Sequence, residues 1–189
     1  MATEVKGDLL EFKATVIAHQ CNCVTTKAKH LSEAVFQRFP HADIYSCRDD
    51  GPRNKPGTVV LKGDGKTEQY VANLLGQYYP GKSKYDNDSP EKRQGWFKKC
   101  METLSTLPLL QDPTHSIAFP YTIGCGAAGG DWEVYEAMIQ DLSTKIPAKV
   151  WIVKLPPAPP RKRKRDEPSA PTKPLQPEPE DLGNLARFF

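Results

Sequence analysis

No run of 18 apolar residues occurs in the chain, which leaves no segment long enough to cross a bilayer as a helix. No Cys-x-x-Cys pair and no histidine cluster is present, so neither a zinc site nor any other resident metal or cofactor is expected. The 5 cysteines are odd in number and lack a framework spacing, which excludes a disulfide scaffold and points to a reducing compartment. Signal-peptide and lipidation patterns are missing too, and the expectation is a soluble intracellular protein with no membrane partner. Lysine and arginine total 26 against 23 acids, and a net charge of +3 is too small to make the whole surface a nucleic-acid face. There is no internal repeat.

What the chain does have is Ile123-Gly124-Cys125-Gly126-Ala127-Ala128-Gly129-Gly130-Asp131-Trp132, glycine-rich and set between two patterned segments. Before it, Ser116-Ile117-Ala118-Phe119-Pro120 reads as a short buried strand ended by proline. After it, Tyr135, Met138, Ile139, Leu142 and Ile146 recur at helical spacing, with Asp131 placed to cap the first turn. Glycines let backbone N–H groups approach an anion closely, and a helix N-terminus adds partial positive charge, so the loop suits a diphosphate. An ordinary glycine-rich turn has the same pattern. No Gly-Lys-Ser/Thr follows, which excludes a Walker loop.

Near the N-terminus, Val5-Lys6-Gly7-Asp8-Leu9-Leu10 closes a first strand with a glycine and a carboxylate. Thr15-Val16-Ile17-Ala18-His19-Gln20 reads as a buried strand running into the polar loop Cys21-Asn22-Cys23-Val24-Thr25-Thr26, and a helix with Leu31, Ala34, Val35 and Phe39 on one face follows. Tyr70-Val71-Ala72-Asn73-Leu74-Leu75 reads as another strand. Ser89 and Pro90 open a long helix buried along Trp96, Phe97, Cys100, Met101 and Leu104. Strand ends carrying Asp8 and Asn22 can then converge with the glycine loop at one sheet edge, where open α/β sheets bind ligands. For chemistry, His19 is a candidate acid or base, and Asp131, Asp86 or Asp88 could orient a water. The bland alternatives are a satisfied strand-end histidine, a helix cap and a polar loop.

Gly7-Asp8-Leu9, Ile17-Ala18-His19-Gln20-Cys21-Asn22-Cys23 and Pro120-Tyr121-Thr122-Ile123-Gly124-Cys125-Gly126 together resemble the macro domain, an ADP-ribose-binding module, over roughly residues 4 to 155. The run around Asn22 is most similar to the yeast-type ADP-ribose 1''-phosphate phosphatases. The resemblance implies a three-layer α/β/α domain with a mixed central sheet. It also implies that Asp8, with Leu9 beside it, takes the adenine end, and Asn22 the distal ribose. Ile123, Gly124, Cys125, Gly126, Ala127, Ala128 and Gly129 would hold the diphosphate. It implies hydrolysis of ADP-ribose 1''-phosphate, a non-catalytic reader of ADP-ribosylated proteins, or an ADP-ribosyl-protein hydrolase. The aspartate of that last class would fall near Ala127 or Ala128. Macro domains usually continue after the asparagine with glycines, whereas Thr25-Thr26-Lys27-Ala28-Lys29-His30-Leu31 has none. Lys27, Lys29 and His30 are either phosphate contacts or solvated loop residues.

From Pro156 the composition shifts, with half of the 18 prolines in the last 34 residues, and a disordered tail over 156–189 is expected. Arg161, Lys162, Arg163, Lys164 and Arg165 form a basic run that reads as a signal for a nuclear import receptor, so a nuclear and cytoplasmic, mainly nuclear, protein is expected. Leu182, Leu185, Phe188 and Phe189 resemble a degenerate box for the sliding clamp PCNA, with leucine where glutamine normally stands. An apolar ending that folds back on the domain is the alternative.

Overall fold

The computed structural model describes residues 1–48 and 54–157; the expectations placed on the basic run and on the C-terminal apolar motif lie outside them. The alternation of short apolar runs with helical patterns becomes a six-stranded sheet flanked by three α-helices. The strands are β1 (Thr3–Lys6), β2 (Val16–Asn22), β3 (Val59–Lys62), β4 (Tyr70–Gln77), β5 (Ser116–Pro120) and β6 (Lys149–Lys154). The helices are α1 (Leu31–Arg38), α2 (Pro90–Ser105) and α3 (Trp132–Lys145).

Sheet order is β1-β6-β5-β2-β4-β3. Every pairing is parallel except that of the edge strand β3 with β4. β2 is buried on both faces, as a central parallel strand must be. Its alternate residues Val16 and Ala18 pack beneath Phe97, Cys100 and Leu104 of α2 and Tyr135, Ile139 and Leu142 of α3. Cys21 lies on the opposite side with Val35 and Phe36 of α1, Phe39 and Tyr45. Helix layer, mixed sheet and helix layer follow directly from this period-2 division of β2.

Both long helices begin where their caps place them. Ser89 accepts from the Lys92 N–H ahead of Pro90, and Asp131 accepts from the Glu133 N–H at 3.1 Å. Other boundaries differ from the expectation. β2 continues through Cys21 and Asn22, because both side chains are buried there. In α1 the buried pair is Val35 and Phe36, while Leu31 is 38 % exposed. Trp96 is only half-buried, and Arg93 joins the buried stripe of α2 in its place.

Candidate functional site

Because β1, β6, β5, β2 and β4 run parallel, their carboxyl ends share one edge of the sheet, and the loops leaving β2, β4 and β5 enclose a cleft of about 820 Å³ there. One wall is Asn22, Thr25, Lys27, Lys29, His30, Leu31 and Ser32. The other is Pro120, Tyr121, Thr122, Ile123, Gly124, Gly126, Ala127 and Ala128, with Gln20, Tyr45, Gln77, Pro80 and Gly81 completing the lining. No aspartate or glutamate is among these residues, while two lysines and a histidine are.

The β5–α3 loop owes its shape to glycine. Gly124 has φ 75° and Gly129 φ 72°, in the left-handed region that side chains disfavour. A Cβ on Gly124 would fall 2.6 Å from Tyr135 Cε1, and one on Gly130 would fall 2.9 Å from Tyr135 Cε2, so both glycines lie flat on one buried ring. Turns within the loop use the N–H groups of Ile123, Cys125, Gly129 and Gly130. Among the described residues, the N–H groups of Gly124, Gly126, Ala127 and Ala128 have no protein acceptor, and all four residues line the cleft. Such a set of unspent donors is an anion cradle.

The opposite wall is rigid for a different reason. Asn22 Oδ1 accepts from the N–H groups of Val24 and Thr25 at 3.0 and 2.9 Å, and its Nδ2 donates to Thr25 Oγ1 and Tyr45 Oη at 2.8 and 3.0 Å. Arg48 donates to the carbonyls of Asn22 and Thr25, both at 2.8 Å, while its guanidinium lies 4.2 Å from the Tyr45 ring centre. Asn22 thus lines the cleft, with its amide committed to building the loop. Tyr45 and Arg48 have no signal in the sequence, since they sit at the start and end of an irregular segment closed by the short 3₁₀ turn Ser46–Arg48, with no period to reveal which side faces inward.

His19 is not a cleft group. It is fully buried, its Nε2 donates to Asn73 Oδ1 at 2.7 Å, and its ring meets Phe36 edge-on at 5.4 Å. Burial holds its pKa at about 4, with the Asn73 hydrogen bond opposing that shift. It therefore stays neutral at pH 7 and lacks access to a ligand. Asp131 caps α3 and Asp88 is paired with the buried Arg93; neither lines the cleft. Asp8 follows β1 at the same sheet edge, yet it lies two strands from β5, about 10 Å at ordinary strand spacing, and its carboxylate accepts from the Leu10 N–H. Leu9 is core, packed with Ala14, Ile17 and Val153. Asp8, Leu9, Cys125 and Gly129 are outside the cleft lining. Burial pushes the thiols of Cys21 and Cys23 up to about 12 and that of Cys125 to about 11, so none offers a thiolate at neutral pH.

The buried imidazole makes stability depend on pH. Its folded pKa is below the unfolded 6.5, so the unfolded state binds the extra proton, and stability is lost as pH falls from 6.5 through 4. Between pH 7 and pH 5 the loss assigned to His19 is roughly 2 kcal/mol. Urea unfolding at both pH values should show that decrement shrinking in His19→Gln. An equal decrement in the variant would remove His19 as its source.

No protein-family model matches the chain, and no curated protein matches it in sequence. Solved structures do. The macrodomain of Mycobacterium tuberculosis DarG is similar at a TM-score of 0.61 and 18% identity, over 83% of this chain and 99% of that one. The macrodomain of Thermus aquaticus DarG gives 0.55 and 18% over the same shares. A Trypanosoma brucei macrodomain crystallised in complex with ADP-ribose gives 0.54 and 13%, over 82% of this chain and 63% of that one. The described residues have the macrodomain fold.

Proposed function

We propose that the cleft binds ADP-ribose and hydrolyses the phosphomonoester of ADP-ribose 1''-phosphate. The observation that carries the reading is the row of unspent N–H donors at Gly124, Gly126, Ala127 and Ala128, which matches a diphosphate in charge and reach. The Trypanosoma brucei macrodomain holds ADP-ribose in the same fold. A terminal phosphate beyond the distal ribose would meet Lys27, Lys29 and His30 on the facing wall, where no carboxylate competes. With His19 sealed in the core, His30 is the imidazole placed to move a proton, and the lysines and backbone donors would bear the charge that develops on the phosphoryl oxygens.

One feature favours a second reading. An acid-free lining offers no carboxylate to orient the attacking water, which suits a non-catalytic reader of ADP-ribosylated proteins. Phosphorus NMR of the full-length protein with ADP-ribose 1''-phosphate separates the two. Appearance of inorganic phosphate is expected; shifted diphosphate signals with no phosphate released leave only the reader. In the triple variant Lys27→Ala/Lys29→Ala/His30→Ala, affinity for the 1''-phosphate should fall about tenfold while that for ADP-ribose changes little, since exposed phosphate contacts contribute under 1 kcal/mol each. An equal loss for both ligands would remove the three residues from the terminal-phosphate subsite.

A further inference from the structure

We infer that Arg93 is a positioning residue of the cleft, a buried clamp that holds the β4–α2 loop and the β5–α3 loop in one ligand-ready arrangement. The inference rests on reading the cleft as a ligand site, and it concerns a residue that contributes nothing to the cleft lining. Arg93 stands in the first turn of α2 and is 2 % exposed; Asp88, just ahead of the helix, is fully buried.

All five donors of the guanidinium are spent. Nε donates to Asp88 Oδ1 at 2.9 Å and Nη2 to Asp88 Oδ2, which makes the pair bidentate. Nη1 donates to the carbonyls of Gly81 at 2.7 Å and Ala128 at 3.1 Å, and Nη2 also reaches the Tyr79 carbonyl at 3.3 Å. Asp88 completes the set from the acceptor side, taking the N–H groups of Tyr78 at 3.1 Å and Tyr79 at 3.2 Å. One ion pair thus ties together the backbone of two loops that line the cleft, through Gly81 in one and Ala128 in the other.

The position of Ala128 gives the bond its meaning. This residue carries the last of the unspent N–H donors, so anchoring its carbonyl fixes the Ala128–Gly129 peptide immediately after the cradle. A Cβ at Gly126 or Gly81 would meet nothing within 4 Å, so no neighbouring side chain packs against either residue from that side. A loop so little packed there needs an external tie to present its donors together. A burial this complete is costly for two charges, and packing alone would be met equally well by an apolar pair. Five directed hydrogen bonds to two loops are what an apolar pair cannot supply.

The test is amide hydrogen exchange of the free full-length protein, alongside calorimetric titration with ADP-ribose, in Arg93→Lys and Arg93→Met. Lysine keeps a cation against Asp88 and so preserves folding, but its ammonium cannot reach Asp88, Gly81 and Ala128 at once. In Arg93→Lys, the amides of residues 78–81 and 126–130 should exchange at least about tenfold faster while those of β2 and β5 keep their wild-type protection. ADP-ribose affinity should fall about tenfold in step. Unchanged loop exchange overturns the clamp, as does faster exchange with affinity untouched. If wild-type protein binds no ADP-ribose, the ligand reading fails, and the exchange data still decide whether Arg93 orders the loops.

Discussion

Gly124→Ala is expected to weaken ADP-ribose binding by at least about thirtyfold, or roughly 2 kcal/mol. Two costs add at that position. The backbone holds φ at 75°, which an alanine accepts only with strain on the order of 1 kcal/mol. Its Cβ would also fall 2.6 Å from Tyr135 Cε1 and 2.7 Å from Gln20 Oε1. Neither neighbour can yield cheaply, because Tyr135 is 1 % exposed and Gln20 is bonded to Gln77 at 2.7 Å. The loop must lift instead, and the N–H donors at residues 124 and 126–128 lose their common target. Gly126→Ala is the control for folding: its Cβ would enter open space at an ordinary φ, so the urea midpoint should stay near wild type. Wild-type affinity in Gly124→Ala would show that the loop geometry is not what binds.

Phe97→Ala should be the most destabilising single change in the core, at about 3 to 5 kcal/mol. The ring is fully buried between sheet and α3 and packs 4.6 Å from the ring centre of Tyr135. Its removal leaves a hole that rigid strands on one side cannot close. It also frees the platform on which Gly124 and Gly130 rest, so the ligand loop should loosen with the core. Urea denaturation measures the first effect. A change under about 1 kcal/mol would mean that α2 and α3 repack without it.

The sequence carried the central layers well, and for physical reasons. β2, β4 and β5 are short, apolar and bounded by polar or turn residues; α2 and α3 carry a cap, a proline at the first position or a clear apolar stripe. Local chemistry specifies such elements. β3 escaped notice because a half-exposed edge strand of four residues has no strong period. Asp88 reads as part of a polar loop and Arg93 carries no signal at all, since a charge does not announce in sequence that tertiary packing will bury it. His19 was misjudged for a reason that strand alternation could have caught. It shares a face with Ile17 and Cys21, both apolar and buried, in a strand covered on both sides. Tyr45 and Arg48 had no such signal, and the loop around Asn22 depends on them.

The central claim is that the donor-lined cleft takes ADP-ribose, and calorimetric titration of the full-length protein with ADP-ribose tests it most directly. The account predicts saturable one-site binding that Gly124→Ala abolishes or severely weakens, with the fold intact. A folded wild-type protein that releases or absorbs no heat with ADP-ribose, at concentrations where a second technique also detects no complex, would contradict it.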